Sequence, residues 1–119
     1  MVSNTKEIFA TVDRMDAEGF ASFFTEDGLF RFGNAPTVKG RGEVAEAVGQ
    51  FFASIKALRH RIIGQWSSDG VDIVEVEVTY TRHDGSEVDL AAACLFRLEG
   101  EQISDYRIYM DINPLYAEA

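Results

Sequence analysis

One cysteine in 119 residues excludes a disulfide framework. Cys94 stands in the most apolar run of the chain, where it reads as a buried, inert thiol in a reducing, cytoplasmic setting. Basic side chains are also few, 11 Lys and Arg against 20 Asp and Glu, for a net charge of −9. Residues 1–58 contribute −2 of that charge and residues 59–119 contribute −7. With no cluster of Lys and Arg to meet phosphates, nucleic acid and anionic membranes are excluded as partners. No apolar run reaches the roughly 18 residues of a spanning helix, and MVSNTKEIF lacks the basic start and apolar core of a signal peptide. A Gly-rich phosphate loop, paired Cys or His metal spacing and a Gly-x-Ser-x-Gly elbow are all missing, so any chemistry is expected to need no cofactor or metal.

What is present is a sheet in the second half. Residues 71–82 alternate, with Val74, Val76, Val78, Tyr80 and Arg82 on one face and Ile73, Glu75, Glu77, Thr79 and Thr81 on the other. Asp84-Gly85 then predicts a two-residue hairpin turn. The next run, VDLAAACLFRL, is apolar at almost every position, as in a strand covered on both faces. Glu99-Gly100 predicts a second reversal into ISDYRIYMD, which sets Tyr106, Ile108 and Met110 opposite Arg107, Tyr109 and Asp111.

The first half reads as helices that pack on this sheet. Asn4 and Glu7 have capping-box spacing before a stripe of Ile8, Phe9, Val12 and Met15. Asp13 lies at the edge of that stripe and reads as a solvated carboxylate rather than a working group. Asp16 caps a second short helix, AEGFASFF, which Glu26-Asp27-Gly28 ends, and LFRFGN follows as a short strand that breaks at Asn34-Ala35-Pro36. A third helix is predicted over residues 43–58, with Val44, Ala47, Val48, Phe51, Phe52, Ile55 and Leu58 at helical spacing. A strand then runs through Trp66 to a turn at Ser67-Ser68-Asp69-Gly70, and the tail leaves the sheet at Pro114. Helices early and an antiparallel sheet late make an α+β layout in a single domain, 1–119.

That order, together with FRFGNAPTVKGR, LRHRI, VTYTRHDG and YRIYMD, resembles the SnoaL-like, polyketide cyclase branch of the nuclear transport factor 2-like superfamily. The resemblance spans nearly the whole chain and implies the ketosteroid isomerase-like fold, with three helices packed into a strongly curved sheet around a cone-shaped apolar pocket. It further implies a homodimer through the sheet. Phe32 stands where the ketosteroid isomerases carry their carboxylate base, so steroid isomerisation is not expected. Asn34-Ala35-Pro36 and Arg82-His83-Asp84 match the spacing of two limonene epoxide hydrolase motifs. Phe32 and Ile108 replace the Tyr and the last-strand acid of those enzymes, which makes epoxide hydrolysis the lesser expectation.

The candidate working residues are His60, Tyr80 and Asn34. The resemblance implies a pocket histidine with acidic partners, and imidazole, with a reference pKa of about 6.5, suits proton transfer near neutral pH. The plainer reading of His60 is a strand-edge histidine bound to a backbone carbonyl. Tyr80 continues the apolar face of its strand, where a phenol either polarises a ligand carbonyl or satisfies itself in the core. Asn34 could hold a ligand or water, or simply form the turn. Arg82 is a candidate for a ligand anion at the mouth, and His83 reads as solvated. Phe9, Val12, Phe32, Phe52, Trp66, Tyr106, Ile108 and Met110 are expected pocket walls for a small apolar molecule. The expectation is a cofactor-independent isomerase, cyclase or dehydratase acting on an oxygenated metabolite. The alternative is a non-catalytic ligand-binding or dimerisation module.

Overall fold

The computed structural model describes residues 4–117. In chain order the elements are α1 (Thr5–Asp13), α2 (Ala17–Ala21), β1 (Phe24–Phe32), β2 (Val38–Lys39), α3 (Arg41–Ala53), β3 (Ala57–Ser68), β4 (Val71–Thr81), β5 (Glu87–Glu99), β6 (Gln102–Tyr109) and α4 (Asn113–Tyr116). The strands form one curved sheet in the order β2-β1-β6-β5-β4-β3. β3 to β6 are an antiparallel meander, whereas β1 joins β6 in parallel. The helices cover its inner face, α1 against β3, and α3 against α2 and β1.

The alternation in β4 is realised as read, since Val74, Val76, Val78 and Tyr80 are all buried. Opposite them, Ala92, Cys94 and Phe96 of β5 are buried too. Phe20, Phe24, Phe30, Phe96 and Tyr106 close the far end of the core, ring against ring, with centroids 4.1–6.4 Å apart. β5 departs from its expected double cover. Ala91 is exposed and Ala93 and Leu95 are half-buried, because no element among the described residues lies on the outer face.

Several boundaries move for local reasons. Asn4 holds the N-cap of α1, but its side chain makes no capping bond. That helix ends in a Schellman arrangement, Asp16 N–H to Thr11 O and Met15 N–H to Val12 O, with Met15 at φ 59°. Asp16 does cap α2 through Gly19 N–H, but the helix stops at Ala21 and β1 already begins at Phe24. α3 stops at Ala53, short of Ile55 and Leu58. Ser54 turns its hydroxyl back to Phe51 O, and Lys56 N–H bonds Thr81 O to open the sheet pairing. The two-residue turn falls at Asp69-Gly70, where φ is 52° and 77° and Ser68 pairs with Val71. Asp84-Gly85 instead sits within a longer connection, residues 82–86, which reverses through Gly85 N–H to Arg82 O with Gly85 at φ 90°.

The largest difference lies in β3. Its pairing with β4 slips between Ile62 and Gly64, so Ile63 is an extra residue. Before this bulge Leu58, His60 and Ile62 face inward; after it Gln65 does, and its side-chain amide bonds Thr5 Oγ1 of α1 at 2.9 Å. Trp66 is thereby turned to the outer face and left 54% exposed, with its ring lying over Gly64. It is therefore not the pocket wall expected from uninterrupted alternation.

Removing an inner ring should cost far more than removing the outer one. Phe20→Ala is expected to destabilise by about 3–5 kcal/mol and Trp66→Ala by less than about 1 kcal/mol, as read from urea midpoints at unchanged slope. Similar losses for the two would contradict this placement of the core.

Candidate active site

α1 delivers Asp13 in its last turn, which holds no basic residue and where a carboxylate faces the negative end of the helix dipole. Donors from the sheet compensate. β3 is the edge strand, and the His60 N–H on its free side donates to both Asp13 oxygens, at 3.2 and 3.1 Å. The ring Nδ1 of the same residue lies 2.7 Å from Asp13 Oδ1. Phe9, one turn earlier on α1, stacks on the imidazole at 4.7 Å between centroids and 15° between planes. The ring is thus fixed by a carboxylate at one edge and an aromatic face below it. A carboxylate bonded to Nδ1 selects the Nδ1–H tautomer of the neutral ring and leaves Nε2 as the basic nitrogen.

His60 is 10% exposed through its side chain and Asp13 is 27% exposed. No buried side-chain nitrogen or oxygen among the described residues lacks a partner, so the unbonded Nε2 opens on accessible space. His60 also lines a cavity of about 80 Å³ between the helices and the inner sheet face. Val12, Phe32, Phe52, Tyr80, Tyr106, Ile108 and Met110 line it along with His60 and Cys94.

Its other polar atoms meet only sulfur. The Tyr80 hydroxyl donates to Met110 Sδ at 3.7 Å, and the Tyr106 hydroxyl donates to Cys94 Sγ at 3.4 Å. Burial pushes the Tyr80 phenol well above its ordinary value, with smaller contributions from Cys94, Tyr116 and Asp13. Burial likewise raises Tyr106, and it pushes the Cys94 thiol up to about 11. Both phenols therefore stay protonated donors, and the thiol stays a thiol.

The structure disperses the expected site residues. His60 and Tyr80 face the same cavity. Asn34 lies outside it, in a surface groove with Gly33, Ala35, Asp111, Asn113 and Tyr116. Phe9 backs His60 rather than lining the cavity, and Trp66 is on the outer face. Arg82 is turned to its own chain, where it donates to Leu115 O at 2.9 Å, Pro114 O at 2.8 Å and Ser86 Oγ at 3.1 Å. With its donors engaged by carbonyls, it holds the last helix in place. His83 Nε2 lies 2.9 Å from Ala53 O at the surface. Asp13 is the residue that the sequence reading set aside: it is the partner of His60, not a solvated edge carboxylate.

The SnoaL-like domain model matches residues 5–106, which includes both members of the His60–Asp13 pair. The chain belongs to the SnoaL-like family. Solved structures agree on the fold of this SnoaL-like domain. A protein with a ketosteroid isomerase-like fold from Catenulispora acidiphila DSM 44928, in complex with trimethylamine, superposes with a TM-score of 0.82 at 16% identity, over 90% of this chain and 84% of that one. A protein described as a SnoaL-like polyketide cyclase, from Jannaschia sp. CCS1, gives 0.76 at 16% identity, over 95% and 88%. TerC, co-crystallised with polyporic acid, gives 0.80 at 14% identity, over 92% and 89%. At these identities the likeness is one of fold. No curated protein sequence matches the chain significantly. No helix among the described residues is long and apolar enough to cross a membrane.

Two outcomes follow from the site. In the neutral His60 ring, ¹⁵N–¹H correlation spectra should show a protonated Nδ1, and Asp13→Ala should convert this to a mixture of tautomers; an Nε2–H ring in the wild type would contradict the geometry. The buried thiol also sets an alkaline limit. The folded state keeps the Cys94 proton up to about pH 11, whereas the unfolded chain releases it near 9, so stability falls as pH rises through that window. Urea midpoints at pH 7, 9, 10 and 11 should fall progressively above 9, and less so in Cys94→Ala.

Proposed function

We propose that this SnoaL-like domain is a cofactor-independent proton-transfer enzyme, of isomerase, cyclase or dehydratase type, acting on a small, apolar, oxygenated metabolite. The observation that carries this reading is a histidine that a carboxylate fixes through Nδ1 and that lines an apolar cavity. His60 Nε2 removes a proton from carbon beside a carbonyl, or from a hydroxyl. Asp13 holds the ring in that tautomer and stabilises the imidazolium that forms. The Tyr80 hydroxyl donates to the substrate oxygen as negative charge builds on it. The imidazolium then returns the proton at the new position, so a simple isomerisation leaves the protein unchanged.

The cavity lining also narrows the substrate class. Among the residues that line it no Lys or Arg appears, and Arg82 is engaged elsewhere, so the buried part of a substrate is uncharged. SnoaL-like and isomerase-like proteins among the structural neighbours are consistent with this chemistry.

The outer face of the sheet suits a second copy of the chain. Ile63, Trp66 and Tyr109 are exposed there, Leu95 is half-buried, and the Arg61–Glu77 and Arg107–Asp105 pairs flank them with both signs of charge. Trp66→Glu should shift the sedimenting species toward the monomer if this face pairs.

Deuterium uptake beside the carbonyl of small cyclic ketones in D₂O tests the proton transfer without knowledge of the natural product. The wild type should accelerate uptake for at least one ketone. His60→Ala and Asp13→Asn should each lose about 10²–10⁴-fold while keeping the fold. A panel on which wild type and His60→Ala behave alike would leave the chain as a binding module with a cavity.

A further inference from the structure

Phe32, Phe51 and Met110 line both the cavity and the outer groove, and so form the neck between them. The two phenylalanines are braced. Their centroids are 5.0 Å apart, and Phe51 packs edge-on against Tyr80 at 5.8 Å. Met110 differs from them. It follows the last residue of β6, is half-buried, and carries an unbranched thioether that changes rotamer readily. Its Sδ is the acceptor for the Tyr80 hydroxyl. A thioether is among the weakest acceptors in proteins, so a buried strong donor is held here by a poor partner.

The cavity volume makes this arrangement consequential. About 80 Å³ is smaller than the roughly 150 Å³ cavity known to admit benzene. A ring-sized ligand enters only when part of the wall moves, and Met110 is the unbranched side chain at the neck.

We propose that Met110 is a gate on the Tyr80 donor: its thioether occupies the Tyr80 hydroxyl while the neck is closed, and an accepting oxygen on the substrate takes its place. The inference rests on the cavity being the substrate site and says what that site selects. Opening the neck frees the phenol donor, and a ketone or alcohol oxygen satisfies it better than sulfur did. A hydrocarbon of the same shape opens the same neck and leaves the donor unpaired within an apolar wall. Discrimination for oxygenated over hydrocarbon ligands is therefore set by the Tyr80 donor in the bound state, while displacing Met110 lowers the affinity of both alike. No bond is made or broken. One weak hydrogen bond is exchanged for a stronger one.

Cyclohexanone and methylenecyclohexane are a matched probe pair, differing in C=O against C=CH₂. Titrations of protein carrying ¹³C-methyl methionine, with the Met110 signal assigned from Met110→Leu, give both affinities and the state of the gate. The wild type should prefer the ketone by roughly three- to tenfold, and the Met110 methyl should shift as the ketone saturates. Met110→Leu deletes the competing acceptor and should tighten both probes to a similar extent, leaving the preference as in the wild type. Tyr80→Phe should bring it close to one. If neither probe enters the wild type, Met110→Ala, which opens the neck, should admit both with the ketone preferred. The proposal is overturned if the preference is equal in wild type and Tyr80→Phe, if Met110→Leu binds the ketone no more tightly than wild type, if ketone saturates without moving the Met110 signal, or if Met110→Ala binds neither probe. The readout is binding, so it stands apart from turnover: absent deuterium exchange would defeat the catalytic reading and leave the gate intact.

Discussion

One carboxylate ties the helical layer to the free edge of the sheet. Asp13 accepts the backbone N–H and the ring Nδ1 of His60 together, and this pairing solves three problems at once. The edge strand gains a partner for an otherwise open donor of the kind a sheet leaves along its edge. An acid disfavoured at a helix C-terminus gains the donors it needs. The imidazole gains one orientation and one tautomer, with Phe9 stacked on its face. Loss of Asp13 would therefore disturb local structure and chemistry together, and the two effects are separated by the ring tautomer rather than by stability alone.

A second constraint is the bulge at Ile63. Up to Ile62, β3 turns its even-numbered residues toward the core, which brings His60 to the cavity opposite Val78 of β4. One extra residue then reverses the parity, so Gln65 reaches Thr5 while Trp66 is left outside. The same strand thereby serves the cavity at one end and a flat outer face at the other. Around the cavity, polar atoms are few and each is held by a soft or shared partner: carboxylate for the imidazole, sulfur for the two phenols. Such a site has little to reorganise when a neutral oxygenated ligand arrives, beyond the thioether at its neck.

The fold was largely legible in the sequence because its signals are local. Strict alternation in residues 71–81, the helical spacing of Val44, Val48 and Phe52, and the Asp16 cap each persist in the folded chain. What escaped depends on register and on contacts between distant segments. The isolated Gly64 within an apolar strand was the available sign of a bulge, and it would have moved Trp66 from pocket wall to outer face. Asp13 was a harder case. Nothing near it in the chain marks it, since its partner is 47 residues away. An acid in the last turn of a helix, with no basic residue within that turn, was the one hint that something else compensates it. Arg82 misled for a related reason, because the carbonyls that engage it belong to a terminal helix whose docking is not encoded near Arg82 itself.

The most direct test of the His60–Asp13 pair as a working unit is a double-mutant cycle on the rate of deuterium uptake beside a ketone carbonyl. If Asp13 acts through the imidazole, Asp13→Asn is costly in the wild-type background and nearly without effect once His60 is Ala, a strongly non-additive result. Equal losses from Asp13→Asn in both backgrounds would mean that the carboxylate contributes only to the fold, and would contradict the account.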